Sequence, residues 1–279
     1  MSKNIYDIRY SWESVQGQAK RTHFWRNMLY GLLLLAMTAL LVYLLNLWRT
    51  TQYQCHLNSA GERVCIVRFR PELGASMECP PSCVQFGLAD ADFRTYHLER
   101  ADLTESDLQR VNLTGVQMRL VQMAGVNLQH ATLRASDMMG ADLQNVDGRW
   151  ADFSEALLLR VNFNGADLRH ADFYKAYMNG AEMRNANATG AFLQEASLEE
   201  LDAKGVILRG ADLTGSDLYN ALLIDADLED AILRNTDLRQ TDFLRANLTN
   251  ADLTGAIYNH QTRWPEGFDA EVAGAVLRY

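Results

Sequence analysis

The chain holds four cysteines, Cys55, Cys65, Cys79 and Cys83, all within one short segment. Thiols this close can pair as disulfides, hold a soft metal, or stay free. Cys55 and Cys65 flank NSAGE, residues 58–62, between the runs YQCHL and RVCIVRFR. A hairpin centred on residue 60 would set the two cysteines opposite each other. Opposed residues in the closer antiparallel pairs have Cα atoms about 4.5 Å apart, within disulfide reach. Cys79 and Cys83 frame Pro80-Pro81 and could close a small loop. The spacing, even with His56 nearby, follows no common structural zinc pattern. Four cysteines allow three pairings, so 55–65 with 79–83 is one expectation, with zinc and free thiols as alternatives. Disulfides require an oxidising compartment, which would put the body that follows outside the cytoplasm.

Carboxylates are the second candidate chemistry. In ADLTGSDLYN, residues 211–220, Asp212 and Asp217 stand five apart. Paired acids are common equipment for proton transfer. Here, however, the same spacing recurs through most of the chain, so the pairs carry no catalytic weight and read as repeated surface charge. Gly115, Gly125 and Gly215 fall at corners of the repeat and form no phosphate cradle. No catalytic constellation stands out. The expectation is a protein that is not an enzyme and uses no cofactor and no metal.

The period of five sets the architecture. Every fifth position from Leu88 is large and apolar: Leu88, Phe93, Leu98, Leu103 and onward to Leu253 and Tyr258, 35 in-frame repeats without an insertion. Gly148, Ala188 and Ala203 interrupt the series. Two positions earlier the residue is small or β-branched, as at Ala101, Val111, Val121 and Ala141; the residue between is commonly Asp or Asn. Helices repeat every 3.6 residues and strands every 2. A coil whose every side uses five residues satisfies the pattern, with the large and small residues inward. If four sides close a coil, residues 20 apart stack at the strand spacing of about 4.8 Å, giving nearly nine layers and a rod of roughly 40 Å. The layer of Gly148 also holds Phe153 and Phe163, whose rings would fill its gap. Leu201 and Val206 would compensate Ala188 and Ala203. The inward Met118, Met123, Met138, Met178 and Met183 read as core filling. His130 and His170 fall on one edge, two coils apart and too distant to act together.

Over residues 86–260 the sequence resembles the pentapeptide-repeat family, whose motif is A(D/N)Lxx. The resemblance implies an all-β, right-handed quadrilateral β-helix. The segment TRWPEGFDAEVAGAV, 262–276, looks like the tail of some members and would cap the open end of the stack.

Residues 28–48, MLYGLLLLAMTALLVYLLNLW, carry no charge. At about 1.5 Å per residue they reach ~31 Å, a bilayer core. Trp25, Tyr30, Tyr43 and Trp48 sit where aromatic belts are expected; Lys20, Arg21 and Arg26 precede the span and Arg49 follows it. The expected order is a cytoplasmic segment 1–27, a transmembrane helix 28–48, a cysteine-containing neck 49–85, the β-helix 86–260 and a cap 261–279. Basic residues before the span favour an inner-membrane protein with its repeat domain in the periplasm. Residues 1–27 carry five basic and two acidic side chains and 49–87 four and three, so a net charge of −9 leaves −13 on 88–279. Such a body lacks the clustered Lys and Arg that nucleic acid needs.

Function is sought where outward positions break the polar rule. Met139, Leu157, Leu159 and Tyr177 stack into one exposed apolar patch, which Trp150 would extend. Leu222, Ile224 and Leu244 form a second patch on an adjoining face. Apolar patches of this kind mark protein interfaces. The expected function is a membrane-anchored interaction scaffold with a protein partner in the cell envelope. Two alternatives stand beside it: an acidic DNA mimic that binds topoisomerases, as some family members do, and an accessory subunit of a secretion, transport or envelope-biogenesis complex.

Overall fold

The computed structural model describes residues 93–94, 98–104 and 106–278, together with the backbone of two strands in the preceding segment. The expected membrane span, 28–48, lies outside the described residues, as do the side chains of the four cysteines. Among the described residues no helix is long and apolar enough to cross a membrane. Strands β1 (Tyr53–Leu57) and β2 (Arg63–Val67) are neighbours in a two-stranded sheet, with Cys55 and Cys65 central in each.

From residue 98 the chain winds as a four-sided coil. Parallel bridges join residues 20 apart, from Asp102–Gln122 to Asp237–Ile257, without a slip. Each side makes the same bonds. The central residue's N–H donates to the next coil, as from Leu98 to the Gln117 carbonyl at 2.8 Å. The residue before it donates to the previous coil, as from Gln122 to the Ala101 carbonyl at 2.9 Å. Every rung therefore satisfies backbone groups on both its neighbours. Four faces result, each with its own column of central residues. The first runs Leu108, Leu128, Gly148 and onward; the second Leu113, Leu133, Phe153; the third Met118, Met138, Leu158; and the fourth Met123, Leu143, Phe163.

The corners explain the two polar positions. Nearly every central carbonyl accepts a bond from the N–H three residues on, as Leu98 does from Ala101 at 3.1 Å; at Leu233 the Thr236 hydroxyl donates at 2.7 Å. Every fifth residue from Arg110 to Gly255 has a positive φ, between 54° and 75°. Positive φ at the third turn residue alone defines a type II turn. Most of these corners are not glycine, so each adds backbone strain of about 1 kcal/mol that the ladder holds in place. The Asp or Asn before the centre supports the turn: Asp212 Oδ1 accepts the Thr214 N–H at 2.9 Å, and Asp217 Oδ1 that of Tyr219 at 2.9 Å. These acids are turn caps as well as surface charge, a structural role that their spacing alone does not convey.

Large and small inward residues are buried along the whole stack. At Gly148 the neighbouring ring fills the gap: a Cβ there would lie 3.8 Å from Phe153 Cε2 and 3.0 Å from Leu168 Cδ2. Phe153 stacks on Phe173 (5.0 Å) and meets Phe163 edge-on (5.6 Å). Leu201 and Val206 are both buried in the layers of Ala188 and Ala203. The C-terminal segment makes one further irregular turn. Arg263 bridges Asp242, Trp264 stacks on Phe243 at 5.0 Å, and β3 (Ile257–Tyr258) pairs in parallel with β4 (Val276–Leu277). This turn covers the last coil's edge, which would otherwise present unpaired backbone.

Candidate functional site

The type II corners and the 20-residue stacking fix which outward side chains meet. On the third face Leu157 and Tyr177 are bridge partners, and Met139 and Leu159 stand in the neighbouring column on successive coils. Leu157, Leu159 and Met139 are half-buried, while Tyr177 is 52% exposed. Leu120, 45% exposed, joins them from the corner. Its N–H bonds the Met139 carbonyl, and its side chain drapes over Gly140, where a Cβ would sit 2.8 Å from Leu120 Cδ2. The result is one diagonal apolar strip across four coils. On the fourth face Ile224 and Leu244 stack one above the other beside Leu222, all half-buried.

Trp150 goes elsewhere. It occupies the corner between the first and second faces, a whole side away from Leu157. There it stacks between His130 (6.2 Å, 6°) and His170 (4.1 Å, 12°). The two histidines thus stand two coils apart, as the period implies, but the indole links them into a ladder. Gly190 makes room for it, since a Cβ there would come within 2.7 Å of His170 Nδ1.

Two further outward aromatics lie on the second face: Phe192, 46% exposed, and Tyr174, 36% exposed. Both break the polar rule as Leu157 does, and that rule, applied to every face, would have found them. Leu120 is harder to find, because corner positions are exposed whatever they hold.

On the other surfaces most of the cations are paired with carboxylates of the same domain. Arg149 bonds Asp147 and Arg169 bonds Asp167, and those guanidinium bonds hold both carboxyls below the usual carboxylate range. Asp202 is opposed by burial, which the bonds from Arg184 and Lys204 outweigh, so its pKa is also lowered. Asp252 falls to about 2, chiefly through bonds from Thr254 and then Arg234. Among the described residues no group of side chains is placed to hold a metal ion.

The family profile described as pentapeptide repeats matches in eight copies, over residues 88–123, 117–147, 149–185, 181–220 and 221–257, well over half the chain. The chain belongs to the pentapeptide-repeat family. Among solved structures, this pentapeptide-repeat protein is similar to HetL from Nostoc sp. strain PCC 7120, involved in heterocyst differentiation regulation. The two are 25% identical over 63% of this chain and 86% of HetL, with a TM-score of 0.32. A second pentapeptide-repeat protein from Nostoc, alr5209, is 38% identical over 38% of this chain and 84% of its own, with a TM-score of 0.27. QnrB1, a plasmid-mediated fluoroquinolone resistance protein, is 23% identical over 65% of this chain and 91% of its own, with a TM-score of 0.38. No match was found among the curated proteins.

Proposed function

We propose that this protein is a non-enzymatic, membrane-anchored interaction scaffold that presents its repeat domain to a protein partner in the cell envelope. The strip Leu120, Met139, Leu157, Leu159 and Tyr177 carries the reading. A rigid ladder holds these side chains outward, and no packing need of the fold calls for them there. Apolar surface of this kind is stabilised by covering it, at about 25 cal/mol per Å². The uncharged run 28–48 supplies the anchor and the cysteines of the neck supply the argument for the periplasm. Their disulfides are part of the proposal.

The test uses a photo-crosslinking residue at position 159 in native membranes, with a control at Thr189 on the first face. A protein adduct is expected at 159 alone. Leu157→Asp restores the repeat's usual residue, so it should abolish the adduct while leaving the fold intact. Equal crosslinking at both positions, or indifference to Leu157→Asp, would remove the reading. A reporter fused after Tyr279 reads the compartment; cytoplasmic activity there would overturn the topology.

The DNA-mimic alternative draws on QnrB1's likeness and on the acidic body. The internal pairing of Asp137, Asp147, Asp167, Asp202, Asp227 and Asp252 with Arg side chains argues against it, because a phosphate mimic must leave its charges free for the partner.

A further inference from the structure

We infer that the second face carries a binding site for an arginine side chain of a partner polypeptide, formed by Phe192, Tyr174, Asp172 and Glu195. This goes beyond the scaffold reading: the residues and the face differ from those of the apolar strip, so either proposal can fail alone.

The first observation is shape. A depression of about 600 Å³ opens on this face, lined by Asp172, Tyr174, Phe192, Gln194, Glu195, Thr214 and Gly215. It spans three rungs. Asp172 and Phe192 are bridge partners, as are Phe192 and Asp212. The Tyr174 and Phe192 rings both line it and are exposed. Thr214 and Gly215 are short and leave the floor low beside them.

The second observation is charge. At several places on the rod an acid before the centre meets a cation eighteen residues earlier, as Arg119 with Asp137, Arg184 with Asp202, Arg209 with Asp227 and Arg234 with Asp252; at others the partner is a neutral amide, as Gln194 is for Asp212. The residue eighteen before Asp172 is Ser154, which is buried and gives its hydroxyl to Asp152. Asp172 Oδ1 accepts the Tyr174 N–H at 2.8 Å. Its other oxygen has no partner among the described residues.

The third observation is a cation already held at the rim by the same chemistry. Lys175 Nζ lies 5.0 Å from the centre of the Tyr174 ring and 3.3 Å from Glu195. One ammonium thus sits between a ring and a carboxylate, while a second ring and a second carboxylate stay open. Asp172, Glu195 and Lys175 together sum to one negative charge. A guanidinium suits what is left. Its flat face stacks on Phe192 while its N–H groups donate to the free Asp172 oxygen, a match that a compact ammonium makes less well.

The test uses the full-length chain in detergent micelles, with acetyl-Gly-Arg-Gly-amide as probe and its citrulline and lysine counterparts as controls. Saturation-transfer NMR reads binding. The arginine peptide is expected to bind about 10-fold or more tightly than the neutral citrulline peptide, and more tightly than the lysine peptide. Asp172→Asn keeps the turn acceptor and removes the charge; Phe192→Asn restores the repeat's usual residue and removes the ring. Each should lower affinity about 10-fold, with the far-UV circular dichroism unchanged. Lys175→Met removes the ammonium from Glu195, leaving it only the Tyr174 hydroxyl at 3.5 Å, and should tighten binding severalfold. Equal binding of the citrulline peptide, preference for lysine, or indifference to both Asp172→Asn and Phe192→Asn would overturn the proposal. So would weaker binding by Lys175→Met.

Discussion

The pair Gly148 and Phe153 offers a sharp test of how this stack tolerates an interrupted core. The two are adjacent centres in one coil, and the Phe153 ring occupies space a regular leucine at 148 would claim. Gly148→Leu alone drives a side chain against Leu168 Cδ2, which lies 3.0 Å from the added Cβ, and against Phe153. Overpacking of this kind costs about 1–3 kcal/mol. Phe153→Leu alone shrinks the ring that fills the gap and loses the stack on Phe173 and the edge contact with Phe163. Gly148 has no side chain with which to collapse onto the void. A cost of about 2 kcal/mol is expected, below the roughly 3–5 kcal/mol of a Phe-to-Ala truncation.

The double variant puts leucine at both centres, as in most coils. It should lie within about 1 kcal/mol of the parent, so the two changes couple by about 2–5 kcal/mol. Urea unfolding followed by circular dichroism gives the global values. Because repeats in a solenoid contribute as neighbours, hydrogen exchange should localise the loss. The Gly148 and Phe153 amides, bonded to the Asp167 and Asp172 carbonyls, should lose protection in each single variant, while the Leu228 amide should not. Additive effects within about 0.5 kcal/mol, or a harmless Gly148→Leu, would show that the gap is not filled by Phe153 and refute the reasoning.

Three further outcomes follow from the corners and the charges. Ala135 has a φ of 55°, so Ala135→Gly should raise stability by about 0.5–1 kcal/mol in denaturant melts, the reverse of the usual sign for that change. Gly190→Ala should push His170 off Trp150, seen as a shift in indole emission that is absent in a Trp150→Phe background. Folded carboxyls held below their unfolded value of about 3.9 stabilise above that pH and lose the contribution as pH falls through the folded value. Stability should therefore hold down to about pH 4 and decline towards pH 2, where Asp252, at about 2, takes up its proton; a decline beginning above about pH 5 would implicate other groups.

The solenoid was legible because a period of five with no insertion admits few structures. The stacking of Leu157 on Tyr177 follows from counting by 20, and so does the filling of Gly148 by a neighbour in its own coil. Three features were not legible. The Asp and Asn side chains cap turns, a matter of Oδ1 direction rather than spacing. Trp150 stacks its ring between His130 and His170 along a corner, a side-chain direction that the shared register permits but does not specify. The depression beside Phe192 depends on two short residues, Thr214 and Gly215, on the rung below, and no single outward residue announces it. For the cysteine pairing and the anchor the sequence remains the ground of the argument.

Departures from the repeat fall into two kinds that behave oppositely. Inward departures are compensated within the stack, as Phe153 compensates Gly148, so the fold alone accounts for them. Outward departures at the position before the centre are not compensated. Leu157, Tyr177, Phe192 and Leu222 each stand where Asp or Asn would accept the N–H two residues on, as Asp212 does from Thr214. Each gives up a bond of about 0.5–1.5 kcal/mol, which the outer packing of the half-buried Leu157 and Leu222 offsets only in part and the exposed Tyr177 and Phe192 offset least. Returning any of them to the repeat's turn acceptor, Asp at 157 or Asn at 192 between Asp172 and Asp212, should therefore stabilise the rod or leave it unchanged. If Leu157 and Phe192 serve binding, Leu157→Asp and Phe192→Asn should weaken capture while the melting midpoint stays level or rises. A fall in stability would instead assign these side chains to the fold and remove the reason to seek partners at them.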